Sequence, residues 1–190
     1  MFAHPLEPLA GRLLVASPLL TDPNFHRAVV LICTHNAEGT FGIVLNRALA
    51  VPVSEPLPAW ASKVVDPPSI FRGGPVLTDR ALALARLAAA TDSDSVEGWD
   101  RVTRRVGLLD LQVNPSVLAG IEAVRIFVGH AGWSGGQLEG ELMGEAWFVV
   151  ESAPEDAFDP DPKGLWRRVL RRQKGRLALF ADYPPDVLLN

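Results

Sequence analysis

The stretch Val124–Glu141, VRIFVGHAGWSGGQLEGE, limits the fold more than any other part of the chain. Val124–His130 is its clearest strand, rich in β-branched and aromatic residues. The glycines at 129, 132, 135 and 136 then predict a sharp turn, since glycine adopts positive φ without steric cost. A helix is expected from Ser134 to about Met143, followed by a strand over Ala146–Glu151. A strand turning directly into a helix, in a chain otherwise rich in strand patterns, reads as an α+β domain.

The remaining elements follow from the same cues. Arg12–Ser17 and Arg27–His35 are Leu, Val and Ile runs bounded by Gly11 and by the turn cluster Thr21–Asn24, and Thr40–Asn46 returns as a hairpin strand after Glu38-Gly39. Residues 52–68 hold five prolines and predict an irregular crossing. Ser69–Arg72 is a short strand entering the turn Gly73-Gly74-Pro75. Ala81–Leu87 is ambiguous, because its alanines favour helix while Leu82, Leu84 and Arg86 alternate as in a strand. Residues 91–101 read as an acidic surface loop, Val106–Val113 as a strand, and Pro115–Gly120 as a short helix capped by Asn114. Gly164–Gln173 is an amphipathic helix with Leu165, Trp166, Val169 and Leu170 on one face. With no internal repeat and no persuasive linker, 1–190 reads as one domain with irregular ends at about 1–10 and 177–190.

Composition narrows the function. Cys33 is the lone cysteine, which excludes an internal disulfide framework and points to a reducing compartment. The apolar run Leu13–Leu20 is punctuated by Pro18 and abutted by Arg12, a poor secretion signal, and no stretch is long and apolar enough for a membrane helix. The expectation is a cytoplasmic protein without membrane contact. A formal charge of −4 argues against general affinity for nucleic acid. The local exception is residues 167–176, with six basic and no acidic residues. That cluster reads either as a solvated helix face or as a contact for acidic protein or nucleic acid.

Three patterns coincide: DPNFHRAVVLICTHN with FGIVLNR, FRGGPV, and GHAGWSGGQLEGEL with its downstream tryptophans. Together they resemble the YqgE/AlgH family of bacterial proteins, from Gly11 to about Arg176. The resemblance implies an α+β fold with a bifurcated, mostly antiparallel β-sheet curled into a pseudo-barrel with a few packed helices, and it favours strand for Ala81–Leu87. It also implies a Leu-His pair after the Gly-Gly-Pro turn. This chain has Leu84-Ala85 there, so any chemistry of that histidine is missing. The family is suggested to act in transcriptional regulation, yet no helix-turn-helix pattern for direct DNA reading is present.

The sharpest enzymatic pattern is Gly132-Trp133-Ser134-Gly135-Gly136, which fits Gly-x-Ser-x-Gly between strand and helix. All four histidines precede Ser134, however, so the hydrolase order of serine, acid, histidine is unattainable. A structural alternative explains more residues: Ser134 and Gln137 form a capping box, and Trp133 and Leu138 a hydrophobic staple. The helix start at Gly135-Gly136 could also hold an anion. By alternation His130 shares a face with Ile126 and Val128, as a structural histidine or as a general base with Glu139 or Glu141. Cys33 and His35 share a face by the same rule, but no further Cys/His pair completes a metal site. Arg72-Gly73-Gly74-Pro75 is either a tight turn or a phosphate cradle without the P-loop ending.

The expected function is therefore a non-catalytic binding or regulatory domain without cofactor or metal. Its partner would be a protein or a small anionic ligand, met by Arg72, Gly73, Gly74, His130, Gly132, Trp133, Ser134, Gly136, Gln137 and Glu139. The rival is a hydrolase-type enzyme using His130 with Glu139. Nothing in the sequence specifies an oligomeric state.

Overall fold

The structure, a computed structural model, describes residues 9–184. Ten strands form one sheet: β1 Leu13–Ala16, β2 Val29–Asn36, β3 Gly39–Val44, β4 Ala48–Pro52, β5 Ser69–Arg72, β6 Val76–Leu87, β7 Trp99–Arg101, β8 Val106–Leu109, β9 Ile121–Ser134 and β10 Trp147–Val150. Among the described residues three short helices accompany them: α1 Gln137–Met143, α2 Leu165–Arg171 and α3 Arg176–Phe180. The main path runs β10-β1-β2-β3-β9-β6-β8-β7, and the sheet forks at β9, where β5 adds on in parallel and carries β4. All other pairings are antiparallel, and the sheet curls into a half-barrel.

Three apolar clusters fill it. In one, Leu13, Val29, Leu31, Ile43, Phe71 and Phe127 meet the apolar face of α2, and Trp166 Nε1 donates to the Ala16 carbonyl at 2.9 Å. This is the face predicted for Leu165, Trp166, Val169 and Leu170. In a second, Val30, Ile32, Ala131 and Trp133 pack with Leu138 of α1 and Trp147 of β10. The third places Trp60 and Val53, from the proline-rich crossing, against Ala83, Val124 and Ile126. Because several strands are covered on both sides, their burial is continuous rather than alternating: β1 is buried at all four residues.

Several expectations change. Ala81–Leu87 is strand and begins earlier, at Val76. Its small alanines fit a strand squeezed between β8 and β9, so tertiary packing outweighs their helix propensity. The loop 91–101 contains a 3-10 turn, Ser93–Ser95, and the edge strand β7. The strand expected to reach Val113 stops at Leu109, and an Asx-type contact from Asp110 to the Gln112 N–H begins the turn. The Asn114-capped helix is a 3-10 turn over Pro115–Val117. The amphipathic helix is shorter than Gly164–Gln173, because Pro162–Gly164 forms a 3-10 turn ahead of it. Residues 177–184, expected to be irregular, include most of α3, which docks by stacking Phe180 on Phe148 at 5.2 Å. Residues 1–8 and 185–190 of the expected irregular ends lie outside the described residues.

Candidate functional site

The glycine-rich corner is built differently from its prediction. β9 does not turn after His130; it continues to Ser134 and pairs Ala131–Ser134 with Gly39–Gly42 of β3. Gly129, at φ +71°, breaks the regular strand, and the register with β6 shifts between Val76↔His130 and Ala81↔Val128, the extra residues 77–80 lying on β6. A left-handed residue inside a strand turns the chain and so reverses the alternation beyond it. His130 accordingly leaves the Ile126–Val128 face and lies beside the Phe41 ring, 4.8 Å between centroids. Burial lowers its pKa, so the imidazole is neutral at neutral pH. Among the described residues it has no hydrogen-bond or ion-pair partner.

A bulge acts on β2. The register with β3 shifts between Ile32 and Thr34, and Cys33 and His35 end on opposite faces. Cys33 packs with Leu31 in the α2 cluster, where burial pushes its thiol up to about 12. His35 faces α1 instead: Nδ1 is 2.7 Å from Thr40 Oγ1, and Nε2 is 3.6 Å from Glu139 Oε1, just beyond hydrogen-bond reach. Glu139 therefore meets His35, not His130. The acid, imidazole and hydroxyl line up in the manner of a catalytic relay, but Thr40 is only 7% exposed and His35 3% in its side chain. That burial leaves a substrate no approach.

α1 begins at Gln137, not Ser134. Its N-cap is Gly136, at φ +80°, without a side-chain cap. Half of the predicted capping box exists: Gln137 Oε1 accepts from the Ser134 N–H at 3.1 Å and from its hydroxyl at 3.3 Å, whereas the hydroxyl does not cap the helix. With its hydroxyl donating to Gln137 and no base beside it, Ser134 is not assembled as a nucleophile. Trp133 and Leu138 do share a cluster, as a staple requires. The convergence that alternation and spacing missed is on Glu141. Its Oε2 accepts from the indoles of Trp133 at 2.9 Å and Trp147 at 2.8 Å, and its Oε1 from Gln137 Nε2 at 3.1 Å. Phe25 packs on both indole rings. The visible signal was the i, i+4 spacing of Gln137 and Glu141 beside two tryptophans.

The second glycine motif meets this corner through backbone alone. A Cβ on Gly73 would overlap the Gly129 carbonyl, and one on Gly74, at φ +152°, the His130 carbonyl. The Gly73 N–H donates to the Val128 carbonyl at 2.8 Å, and its own carbonyl accepts from Val44 at 2.7 Å. With that N–H engaged, the Arg72–Pro75 turn forms a packing joint between β5 and β9. The Arg72 side chain remains exposed.

Of the predicted surface residues, Trp133 is 5% exposed. Gly132, Ser134, Gly136 and Gln137 are exposed, as is Gly140. Three of the six basic residues in the cluster are paired with carboxylates. Arg168 bonds Asp159 and Asp161, Arg171 bonds Asp182, and Arg172 forms a two-pronged bridge to Asp156 at 2.5 and 2.7 Å. No group of three or more His, Cys, Asp or Glu among the described residues could hold a metal, and no helix among them is long and apolar enough to cross a membrane.

The sequence pattern of the AlgH-like family, DUF179, matches residues 13–178. The chain belongs to this family. AlgH-like relatives include UPF0301 proteins of Streptomyces avermitilis and Streptomyces coelicolor, each 50% identical over 184 residues, covering 96% of this chain and 95% of the relative. A Corynebacterium diphtheriae protein known from its crystal structure has a TM-score of 0.88 and 31% identity, with 95% of each chain covered. The solution structure of the AlgH protein of Pseudomonas aeruginosa has a TM-score of 0.67 and 27% identity, covering 97% of this chain and 98% of that one. The fold implied by the AlgH-like resemblance, with its fork at β9, is the one observed. The hydrolase alternative finds no support: His130 and Glu139 do not meet, and the serine has no base.

Proposed function

We propose that this AlgH-like chain is a non-catalytic binding or regulatory domain of the bacterial cytoplasm, with its contact surface on the outer side of the Ser134–Met143 corner. The observation that carries this reading is Gly140. It sits in the middle of a seven-residue helix, where a Cβ would meet nothing within 4 Å. Glycine there weakens the helix without serving the packing. Met143, three residues on, is 83% exposed, so an unbranched apolar side chain stands beside a bare stretch of backbone. Flexible methionine and accessible backbone suit recognition of another protein. The polar groups nearby favour contact over chemistry, because Glu141 and Gln137 are engaged in holding α1 to the sheet. Direct nucleic-acid contact is not part of the reading, since the basic residues Arg168, Arg171 and Arg172 are already matched by carboxylates.

Gly140→Arg tests it. The side chain has room, so the variant should fold with an unchanged or higher thermal midpoint. It should lose the partner that the wild-type protein retains in a quantitative pull-down from bacterial lysate. Identical capture by both proteins, or no specific capture by the wild type, would overturn the proposal.

A further inference from the structure

On a different face, a cleft of about 610 Å³ opens between the start of β2, the β3–β4 connection and the start of α2. His26, Arg27, Arg47, Lys163, Trp166 and Arg167 form most of its wall, and among the described residues no Asp or Glu lines it. A neighbouring depression of about 280 Å³ shares Arg47 and adds Arg72, extending the cationic surface to the Gly73-Gly74 turn. This concentration of positive charge stands out in a chain whose formal charge is −4.

Among the described residues, no carboxylate forms an ion pair with the cations of the larger cleft. Arg27 donates to the Tyr183 carbonyl, Arg47 to the His26 carbonyl and Arg167 Nε to the Ala181 carbonyl at 2.9 Å. Carbonyl acceptors orient a guanidinium without cancelling its charge. Each of these guanidinium groups makes only that one hydrogen bond among the described residues, of the five its donors allow. Arg27 Nε is buried and unpartnered, and its guanidinium lies over the Trp166 ring at 4.5 Å. Asp161 and Asp182 lie within electrostatic reach of Lys163 and Arg167, but their hydrogen bonds go to Arg168 and Arg171. Burial lowers the pKa of Arg27 and Arg47, and the nearness of Arg167 lowers that of Arg27 further, the signature of cations crowded without a counter-charge.

We propose that this cleft binds a small phosphate-bearing anion, held by Arg27, Arg47, Lys163 and Arg167. Guanidinium forks match pairs of phosphate oxygens, and a phosphate monoester carries about −1.5 to −2 at neutral pH, which several clustered cations can offset together. The volume lies within the usual range for a small-molecule site. Its concavity favours a compact ligand over a membrane surface or a duplex.

The probe is inorganic pyrophosphate, followed by isothermal titration calorimetry and thermal unfolding, with chloride controls at matched ionic strength. The wild-type protein should bind one equivalent and rise in Tm beyond the chloride control. Arg167→Gln and Lys163→Gln should each weaken binding, the former by at least about tenfold, as expected for loss of a charge-assisted contact. Without the probe, Arg167→Gln should keep or raise the Tm, because Arg27 loses a like-charged neighbour; weakened binding is then not a folding defect. Gly140→Arg should bind pyrophosphate as the wild type does, so failure here is distinguishable from failure of the contact surface on α1. Absence of saturable binding, equal affinity in wild type and both cleft variants, or binding to phosphatidylglycerol vesicles or duplex DNA without binding to pyrophosphate would each overturn the proposal.

Discussion

Glu141 shows how one side chain orders the corner. Two indole N–H groups and one amide converge on a single carboxylate, and charge-assisted bonds of this kind are stronger than neutral ones. Glu141→Leu leaves the indoles of Trp133 and Trp147 without their acceptor and should cost about 2–3 kcal/mol in urea unfolding. Trp133→Ala removes a buried aromatic as well and should cost about 3–5 kcal/mol. His130 gives a pH signature. Its folded-state pKa lies below its ordinary value, so the unfolded chain binds the proton first and stability falls as pH drops through and below about 6.5. His130→Gln should therefore lose less stability than the wild type between pH 7 and pH 5, measured as urea midpoints; equal losses would mean that the imidazole is solvated like a free one. The buried Cys33 thiol, pushed up to about 12, should react with a maleimide only as fast as the protein opens.

At the scale of elements, α1 carries a stability cost that its packing does not explain. Gly140→Ala should raise stability by about 1 kcal/mol, read in the same urea series, since alanine is the better helix former and its Cβ meets nothing. The existence of most elements was legible, because apolar runs bounded by glycine and proline turns marked β1, β2, β3, β5 and β9, and the apolar face of α2 was readable from its spacing. Facing was not legible beyond an irregularity in a strand. Alternation placed His130 with Ile126 and Cys33 with His35, and the left-handed Gly129 and a one-residue insertion near Cys33 reversed both assignments. Glycine at 129 could equally mark a turn or an irregularity within a strand. The neighbouring strand decides between them, and the pairing of Ala131–Ser134 with β3 is a long-range fact absent from the local pattern. The Glu139–His35 approach was hidden for the same reason, as the two residues are distant in sequence and meet only once the bulge turns His35 toward α1.

At the scale of the molecule, Arg125 joins parts of the chain that the sheet alone does not connect. It lies in β9 yet is only 2% exposed, stacked over Phe71 at 4.4 Å. Its guanidinium donates to the carbonyls of Asp66, Ala157 and Asp159, fastening the proline-rich crossing and the approach to α2 onto the sheet. Between Val124 and Ile126 it looks like the solvent-facing residue of a half-buried strand, but β9 is covered on both faces, so its charge is carried inside. Burial lowers its pKa to about 10, opposed by Asp159 and Asp66, which leaves it cationic at neutral pH. Arg125→Leu keeps much of the volume and removes all three donors. It should destabilise the protein by about 2–4 kcal/mol, because three carbonyls lose their partner at once. Hydrogen exchange distinguishes this fastening from a general loss of core packing. Amides in residues 60–66 and 155–160 should lose protection well before those of β2 and β3, whereas uniform loss across the sheet would show that Arg125 supports the core rather than joining its outer segments.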